Sequence, residues 1–251
     1  MLYGLYLSAQ GAQVQTLRQE VVSNNLANAS TASFKRDLVT AQSHLPYDVE
    51  DGKPGWINDS LKNMPGGVTA AEVATDFSQG DLSQTKGSFD LALKGKGFLR
   101  VSDGKKSFLT RDGQLAVGPQ NQLVTRDTGL AVLNTSGQPI LNVDPERSIE
   151  VLADGSIFQG DTELGKLGIV EPRSYSELSK VGRNLYSTPG KLTPAKPETE
   201  VKQGYIESSG IRPVASMMEL IESSRVLEAN VNMIHYQGDS LSRLLDSLPR
   251  R

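Results

Sequence analysis

Asn24-Asn25-Leu26-Ala27-Asn28-Ala29-Ser30-Thr31-Ala32-Ser33-Phe34-Lys35-Arg36 is the stretch that decides the fold. Amide and hydroxyl side chains compete with helix hydrogen bonds through bonds of their own, so such a cluster marks a helix exit, not a helix interior. The chain upstream is Pro-free from Leu2 onward and rich in apolar residues at helical spacing. From Phe34 onward it reads as extended. The stretch therefore closes an N-terminal helix and launches a different kind of structure.

Working upstream, the apolar residues of that helix fall on two faces. Leu2, Leu5, Ala9 and Ala12 form one, and Leu7, Val14, Leu17 and Val21 the other. A helix with a single core face carries a single stripe, so this one is expected to be wedged among several neighbours. Downstream, residues 37–75 hold turn signals at His44-Leu45-Pro46-Tyr47, Lys53-Pro54-Gly55-Trp56 and Met64-Pro65-Gly66-Gly67, and read as an irregular, extended connector.

From Thr75 to about Glu207 short apolar runs recur between Gly, Asp, Asn and Pro: Phe89–Leu93, Gly97–Val101, Gln122–Thr125, Ala131–Leu133, Ile149–Leu152 and Leu167–Val170. Asp103-Gly104, Asp112-Gly113 and Asp154-Gly155 predict hairpin turns, because Gly accepts the positive φ that primed turns need. No helices separate the runs, which argues against a parallel βαβ sheet and for a mostly antiparallel β domain.

After Pro213, a residue suited to a first helical turn, a helical pattern runs to Leu248. Leu220, Leu227, Ile234, Leu241 and Leu248 recur every seven residues, and Met217, Val231 and Leu245 stand three residues before members of that series. This predicts an a/d seam on a helix of about 50 Å. Each seam residue contributes about 1.5–3 kcal/mol if fully buried, and nothing if the helix stands alone. The seam therefore demands a helical partner, in competition with a core helix packed on its own domain.

Composition narrows the function. The net charge of −3, with acidic and basic residues interspersed, gives no ground for nucleic-acid or anionic-membrane binding. Cysteine is absent, which removes disulfides and thiolate metal sites. No run of about 18 apolar residues occurs, so no membrane insertion is expected. Met1-Leu2-Tyr3-Gly4-Leu5 lacks the basic and apolar regions of a cleaved signal peptide.

Three patterns suggest chemistry and are read as coincidence. Gly238-Asp239-Ser240-Leu241 spells a serine-esterase signature, yet it lies inside the heptad pattern with no His after it. A secreted β-rich hydrolase using Ser240 is the alternative from another class. Gly160-Asp161-Thr162-Glu163-Leu164-Gly165-Lys166 has P-loop spacing, but Leu167 replaces the Mg²⁺-binding hydroxyl and the next residues read as strand. It reads as two strands joined by a polar turn. His44 and His235, the sole histidines, have no ligand set at metal spacing. Asp127, Asp144 and Asp154 read as turn carboxylates serving their own loops. No cofactor, metal or catalytic residue is expected.

The opening stretch resembles the N-terminal signature of the flagellar basal-body rod and hook proteins, and the resemblance continues along the chain. Gly80-Asp81-Leu82-Ser83-Gln84-Thr85 and Phe89-Asp90-Leu91-Ala92-Leu93-Lys94-Gly95-Lys96-Gly97-Phe98 resemble the start of that family's β domain. Thr110-Arg111-Asp112-Gly113 with Asn121-Gln122-Leu123-Val124-Thr125 resembles its next hairpin. Gln203-Gly204-Tyr205-Ile206-Glu207-Ser208-Ser209 resembles its re-entry motif, and Ser223-Ser224-Arg225-Val226-Leu227-Glu228-Ala229-Asn230 its C-terminal helix. The departures are Gly210-Ile211-Arg212-Pro213, where the family usually has Asn-Val-Asn, and Leu227, where it commonly has an aromatic.

The resemblance implies an α+β chain whose long N- and C-terminal helices pair as a coiled coil, with a central, mostly antiparallel β domain outside it. The expected division is 1–36 N-terminal helix, 37–75 connector, 76–207 β domain and 208–251 C-terminal helix. It implies a non-enzymatic structural subunit of the basal-body rod, polymerising helically and transmitting torque, with a hook-type subunit as the alternative within the family. Implied partners are other flagellar axial subunits, copies of itself and the flagellar type III export apparatus, which reads no cleaved signal peptide. Expected assembly residues are Leu5, Leu17, Leu26, Leu220, Leu227, Ile234 and Leu241, with Asn25, Asn28 and Phe34 at the joint between helix and β domain.

Overall fold

The computed structural model describes residues 2–44, 66–196 and 198–246. Two compact units form. One holds Met1–Ala27, Asp37–Asp76 and Arg212–Arg251; the other holds Asn28–Arg36 and Phe77–Ile211. The turn signals between Leu45 and Pro65, and Leu248, lie outside the described residues.

The first unit is helical. Helix α1 (Leu2–Ala27) runs unbroken to the Asn-Ser-Thr cluster, where turns replace it. Strand β1 (Asp37–His44) pairs antiparallel with β2 (Gly67–Thr75) as a two-stranded ribbon. These strands correct the reading of 37–75 as irregular connector: both of its described arms are paired strands. The ribbon lies on α1, where Val68 N–H donates to Gln10 Oε1 at 3.2 Å. Helix α2 (Pro213–Asp246) opens on Pro213, with Ser216 N–H donating to the Arg212 carbonyl at 3.0 Å. Helix α1 thus meets both α2 and the ribbon, which is why its apolar residues occupy two faces.

Helices α1 and α2 lie antiparallel. Arg18 pairs with Glu219 at 2.8 Å, and Ser223 Oγ donates to the Gln15 carbonyl and Oε1 at 3.2 and 2.9 Å. A Cβ on Gly11 would stand 3.2 Å from the Asn230 amide, and one on Gly4 would stand 2.9 Å from Gln237 Nε2. Leu220, Leu227, Ile234 and Leu241 are half-buried. Their companions differ from expectation. Met217, Val231 and Leu245 are exposed, and the second line of the contact is Ser216, Ser223, Asn230 and Gln237. Small and amide side chains opposite glycines let the helices approach closely, so here the polar residues are the ones facing the partner.

The second unit is antiparallel β throughout. Strands β3 (Leu82–Gln84) and β4 (Leu91–Lys94) lead out, followed by β5 (Phe98–Ser102), β6 (Ser107–Thr110), β7 (Leu115–Val117), β8 (Leu123–Thr125) and β9 (Ala131–Val132). Next come β10 (Glu150–Val151), β11 (Ser156–Gln159), β12 (Thr162–Lys166), β13 (Ile169–Pro172), β14 (Ser179–Gly182), β15 (Leu185–Ser187) and β16 (Leu192–Pro194). Strands β17 (Glu200–Gln203) and β18 (Tyr205–Glu207) return. The largest sheet orders its main path β14-β15-β6-β5-β9-β8-β7, with β13 also beside β5. The returning strands zip onto the outgoing ones, β17 with β4 and β18 with β3, and close the unit on itself.

Strand β5 buries both faces. Leu99 and Val101 enter the main core with Leu91, Leu115, Ile157 and Leu167; Phe98 enters a second cluster with Leu109, Val170 and Tyr186. Gly104 and Gly155 take positive φ (+87° and +86°) in the β5–β6 and β10–β11 turns, as their Asp-Gly pairs predict. Asp112-Gly113 does not. Strands β6 and β7 are not paired, and Gly113 instead presses on the backbone of β4, its carbonyl accepting from Leu91 N–H at 2.9 Å. A Cβ there would stand 1.8 Å from the Leu91 carbonyl oxygen.

Candidate assembly face and chain joint

The helical unit is short of core. Among its described residues Val14 and Val22 are the buried apolar side chains, with Asn25 and Ser223 buried beside them. Meanwhile α2 exposes Val214 (72%), Met218 (67%) and Tyr236 (69%). Ile221 and Met217 lie on one side of the line facing α1, Val226 and Met233 on the other. Leu5, Leu17 and Leu26 on α1 are half-buried. A cavity of about 320 Å³ remains within this unit, lined by Gly11, Val14, Val39, Val68, Val226 and Asn230 among others. A large contiguous apolar patch on a folded protein marks an interaction surface, and these exposed side chains on α2 are candidates for one.

The joint divides at Ala27. Asn25 stays in the helical unit, where its amide accepts from Asp37 N–H at 2.9 Å and donates to the Asp37 carbonyl at 2.7 Å. One side chain thereby satisfies both backbone groups at the start of β1 and fixes the distance between the ends of the excursion Asn28–Arg36. That excursion belongs to the β unit. Asn28 Oδ1 accepts from Thr31 Oγ1 at 3.2 Å. Phe34 is buried, with the Lys180 ammonium 4.6 Å from its ring centroid. Lys180 Nζ also donates to the Lys35 carbonyl, and Asn184 Nδ2 to the Ala32 carbonyl, both at 2.6 Å. Asn25 thus lies in the helical unit, and Asn28 and Phe34 in the β unit.

At the centre lies a buried ionic cluster that sequence reasoning missed. Glu207 Oε1 accepts from Lys35 Nζ at 2.5 Å and from Gly80 N–H at 2.7 Å, and its Oε2 accepts from Arg111 Nη1 at 3.2 Å. Lys35 also donates to the Ser78 carbonyl, and Arg111 Nε to the Gly97 carbonyl. None of the three side chains exceeds 3% exposure. Removing one partner of such a cluster typically costs about 3–5 kcal/mol, because a buried charge is left uncompensated. All three residues sit inside stretches that resemble the rod and hook motifs. Nothing in the sequence tells a buried charge from a solvated one when its partner is 172 positions away.

Other titratable groups are local. Burial raises the Asp112 carboxyl above its usual range, helped by the Asp127 and Asp90 carboxylates and opposed by Gln114 N–H and Arg126. Asp154 is pulled down to about 2 by Lys166 and the Ser156 N–H and hydroxyl. Asp144 and Asp154 each accept from the N–H two residues on, as turn carboxylates should. Ser240 is exposed on α2, and residues 160–166 form the β11–β12 turn and strand. Among the described residues no group of His, Asp and Glu is arranged to hold a metal ion, and no helix is long and apolar enough to cross a membrane.

A β unit with a buried ionic cluster, and a separate unit of paired terminal helices that leaves apolar side chains exposed, fit a structural, assembly-forming protein. Residues 5–35 match the family described as "Flagella basal body rod protein", and residues 202–247 match "Flagellar basal body rod FlgEFG protein C-terminal". The chain is 34% identical to the flagellar basal-body rod protein FlgF of Caulobacter vibrioides, over 87% of each chain. It is 30% identical to the rod protein FlgG of Buchnera aphidicola subsp. Schizaphis graminum, over 97% of this chain and 99% of that one. It is also 30% identical to FlgF of Salmonella typhimurium, over 90% and 91%. The chain belongs to the flagellar basal-body rod protein family.

Proposed function

We propose that this chain is a structural subunit of the bacterial flagellar basal-body rod, polymerising helically through its terminal helices and transmitting torque without catalysing a reaction. The observation that carries the reading is the open apolar surface on both flanks of α2, in a unit whose own core is small. Repeated heterologous contacts between identical or related subunits do not close, and so generate a tube. In this reading α1 and α2 form the inner, coiled-coil shaft, held by Leu5, Leu17, Leu26, Leu220, Leu227, Ile234 and Leu241. Met217, Met218 and Ile221 meet neighbouring axial subunits. The subunit leaves the cytoplasm through the flagellar type III export apparatus and is not inserted in a membrane.

The test compares two variants in motile cells. Ile221→Asp leaves the monomer's circular dichroism unchanged and abolishes incorporation into the rod. Ile234→Asp leaves a folded β unit but separates α1 from α2, and also abolishes incorporation. Wild-type motility from either variant refutes the assembly face. Ser240→Ala retains full motility, and esterase turnover by the wild-type protein that this variant loses would move the reading to the hydrolase class.

A further inference from the structure

The chain crosses between its two units four times, after Ala27, Arg36, Asp76 and Ile211. Inside the β unit the segments flanking these crossings converge on one residue. The excursion Asn28–Arg36 reaches it through Ser33 N–H, which donates to the Glu207 carbonyl at 2.7 Å, and through Lys35 Nζ on Oε1. The third crossing reaches it through Gly80 N–H on the same Oε1, two residues beyond the Ser78 carbonyl that Lys35 also holds. The last crossing contains Glu207 itself, and Gly210 N–H donates back to the Phe34 carbonyl at 3.0 Å. The remaining carboxylate oxygen takes Arg111, which comes directly after β6 and is tied to the carbonyls of Gly95 and Gly97 just before β5.

We propose that Glu207 is the anchor through which tension on the crossing segments reaches the β sheet, so that the crossings yield together and separately from the sheet. A buried carboxylate shared by two cations and a backbone N–H cannot be lost without leaving both cations short of their counter-charge at once. The crossings are therefore coupled to one another through Glu207 and Lys35, while the sheet meets them through Arg111 and, at the excursion, through Lys180 and Asn184. The mechanical role rests on the rod reading above; the coupling itself does not.

The coupling is tested by amide hydrogen exchange on the full-length protein, comparing wild type, Glu207→Gln and Glu200→Gln. Glu200 pairs with Lys94 at 3.2 Å on the surface of the neighbouring β17–β4 pair, so it serves as the control. Glu207→Gln is expected to raise exchange several-fold at Ser33, Gly80 and Gly210 together, while amides of β5 and β6 keep their wild-type rates. Glu200→Gln is expected to change none of them. Unchanged rates, a rise at only one of the three, or an equal rise in β5 and β6 would each overturn the proposal. In cells, Glu207→Gln is expected to assemble and swim in dilute buffer but to shed flagella several-fold more often in viscous medium. Retention equal to wild type, or failure to assemble at all, overturns the mechanical role and leaves the rod reading standing. Absence of the wild-type protein from basal bodies overturns the rod reading and leaves the exchange result untouched.

Discussion

Replacing Ser223 probes the α1–α2 contact at a buried residue of α2. The side chain is 2% exposed and donates to Gln15 at 2.9 and 3.2 Å, so almost no room surrounds it. Ser223→Ala removes the hydroxyl and its bonds, a loss of about 1 kcal/mol, and regains about 0.5 kcal/mol of helix propensity. It should be nearly neutral. Ser223→Leu forces a bulky branched side chain between two helix backbones. Overpacking of this kind costs about 1–3 kcal/mol, and the lost hydrogen bonds add about 1 kcal/mol. A total near 3 kcal/mol is a large fraction of the roughly 5–15 kcal/mol that holds a domain together. The assay is urea titration of the far-ultraviolet helical signal, to which, among the described residues, the 26 of α1 and the 34 of α2 contribute. Ser223→Leu lowers the midpoint markedly and Ser223→Ala barely. A Leu variant as stable as wild type would refute the close-approach account, because the seam would then be apolar and roomy.

Gly113→Ala drives a methyl into the Leu91 carbonyl and should cost about 2–4 kcal/mol. Gly104→Ala, with nothing near its Cβ but φ of +87°, should cost about 1–2 kcal/mol; denaturant midpoints give the order. Asn25→Ala removes the two bonds that its amide makes to the Asp37 backbone and should cost about 1–3 kcal/mol, read as faster exchange at Asp37 with β5 and β6 unaffected. For Asp112 the folded carboxyl holds its proton more tightly than the unfolded one, so its contribution to stability falls as pH rises through the raised folded value. Asp112→Asn should therefore raise stability at neutral pH relative to wild type, and the advantage should vanish as pH falls toward the ordinary carboxylate range. Urea midpoints across that window check the sign.

Local rules carried the sequence reading where one segment decides its own structure. The Pro-free run before Asn28, Pro213 at the start of α2 and the Asp-Gly turns at Gly104 and Gly155 all did so. They failed where a distant partner decides. The β1–β2 ribbon pairs strands on either side of a long intervening segment, and the turn signals between them masked their alternation. Asp112-Gly113 has the composition of a hairpin turn, yet Gly is needed there for close approach to Leu91. On α2 the apolar heptad was legible, but its pattern superimposes more than one face. Met217, Val231 and Leu245 looked like seam residues, while the residues that do face α1 are Ser223, Asn230 and Gln237. Lys35, Arg111 and Glu207 carry charge in polar stretches, and only the fold brings them out of water together.

Where the protein resides, and which part of it faces outward, decides whether it is a rod subunit built on its terminal helices. The direct measurement is electron cryomicroscopy of purified basal bodies carrying an affinity label in the exposed turn at Asp103–Lys106. The expected result is label density along the rod, repeating along its axis. Label on the hook alone, or basal bodies with complete rods and no label, would contradict it.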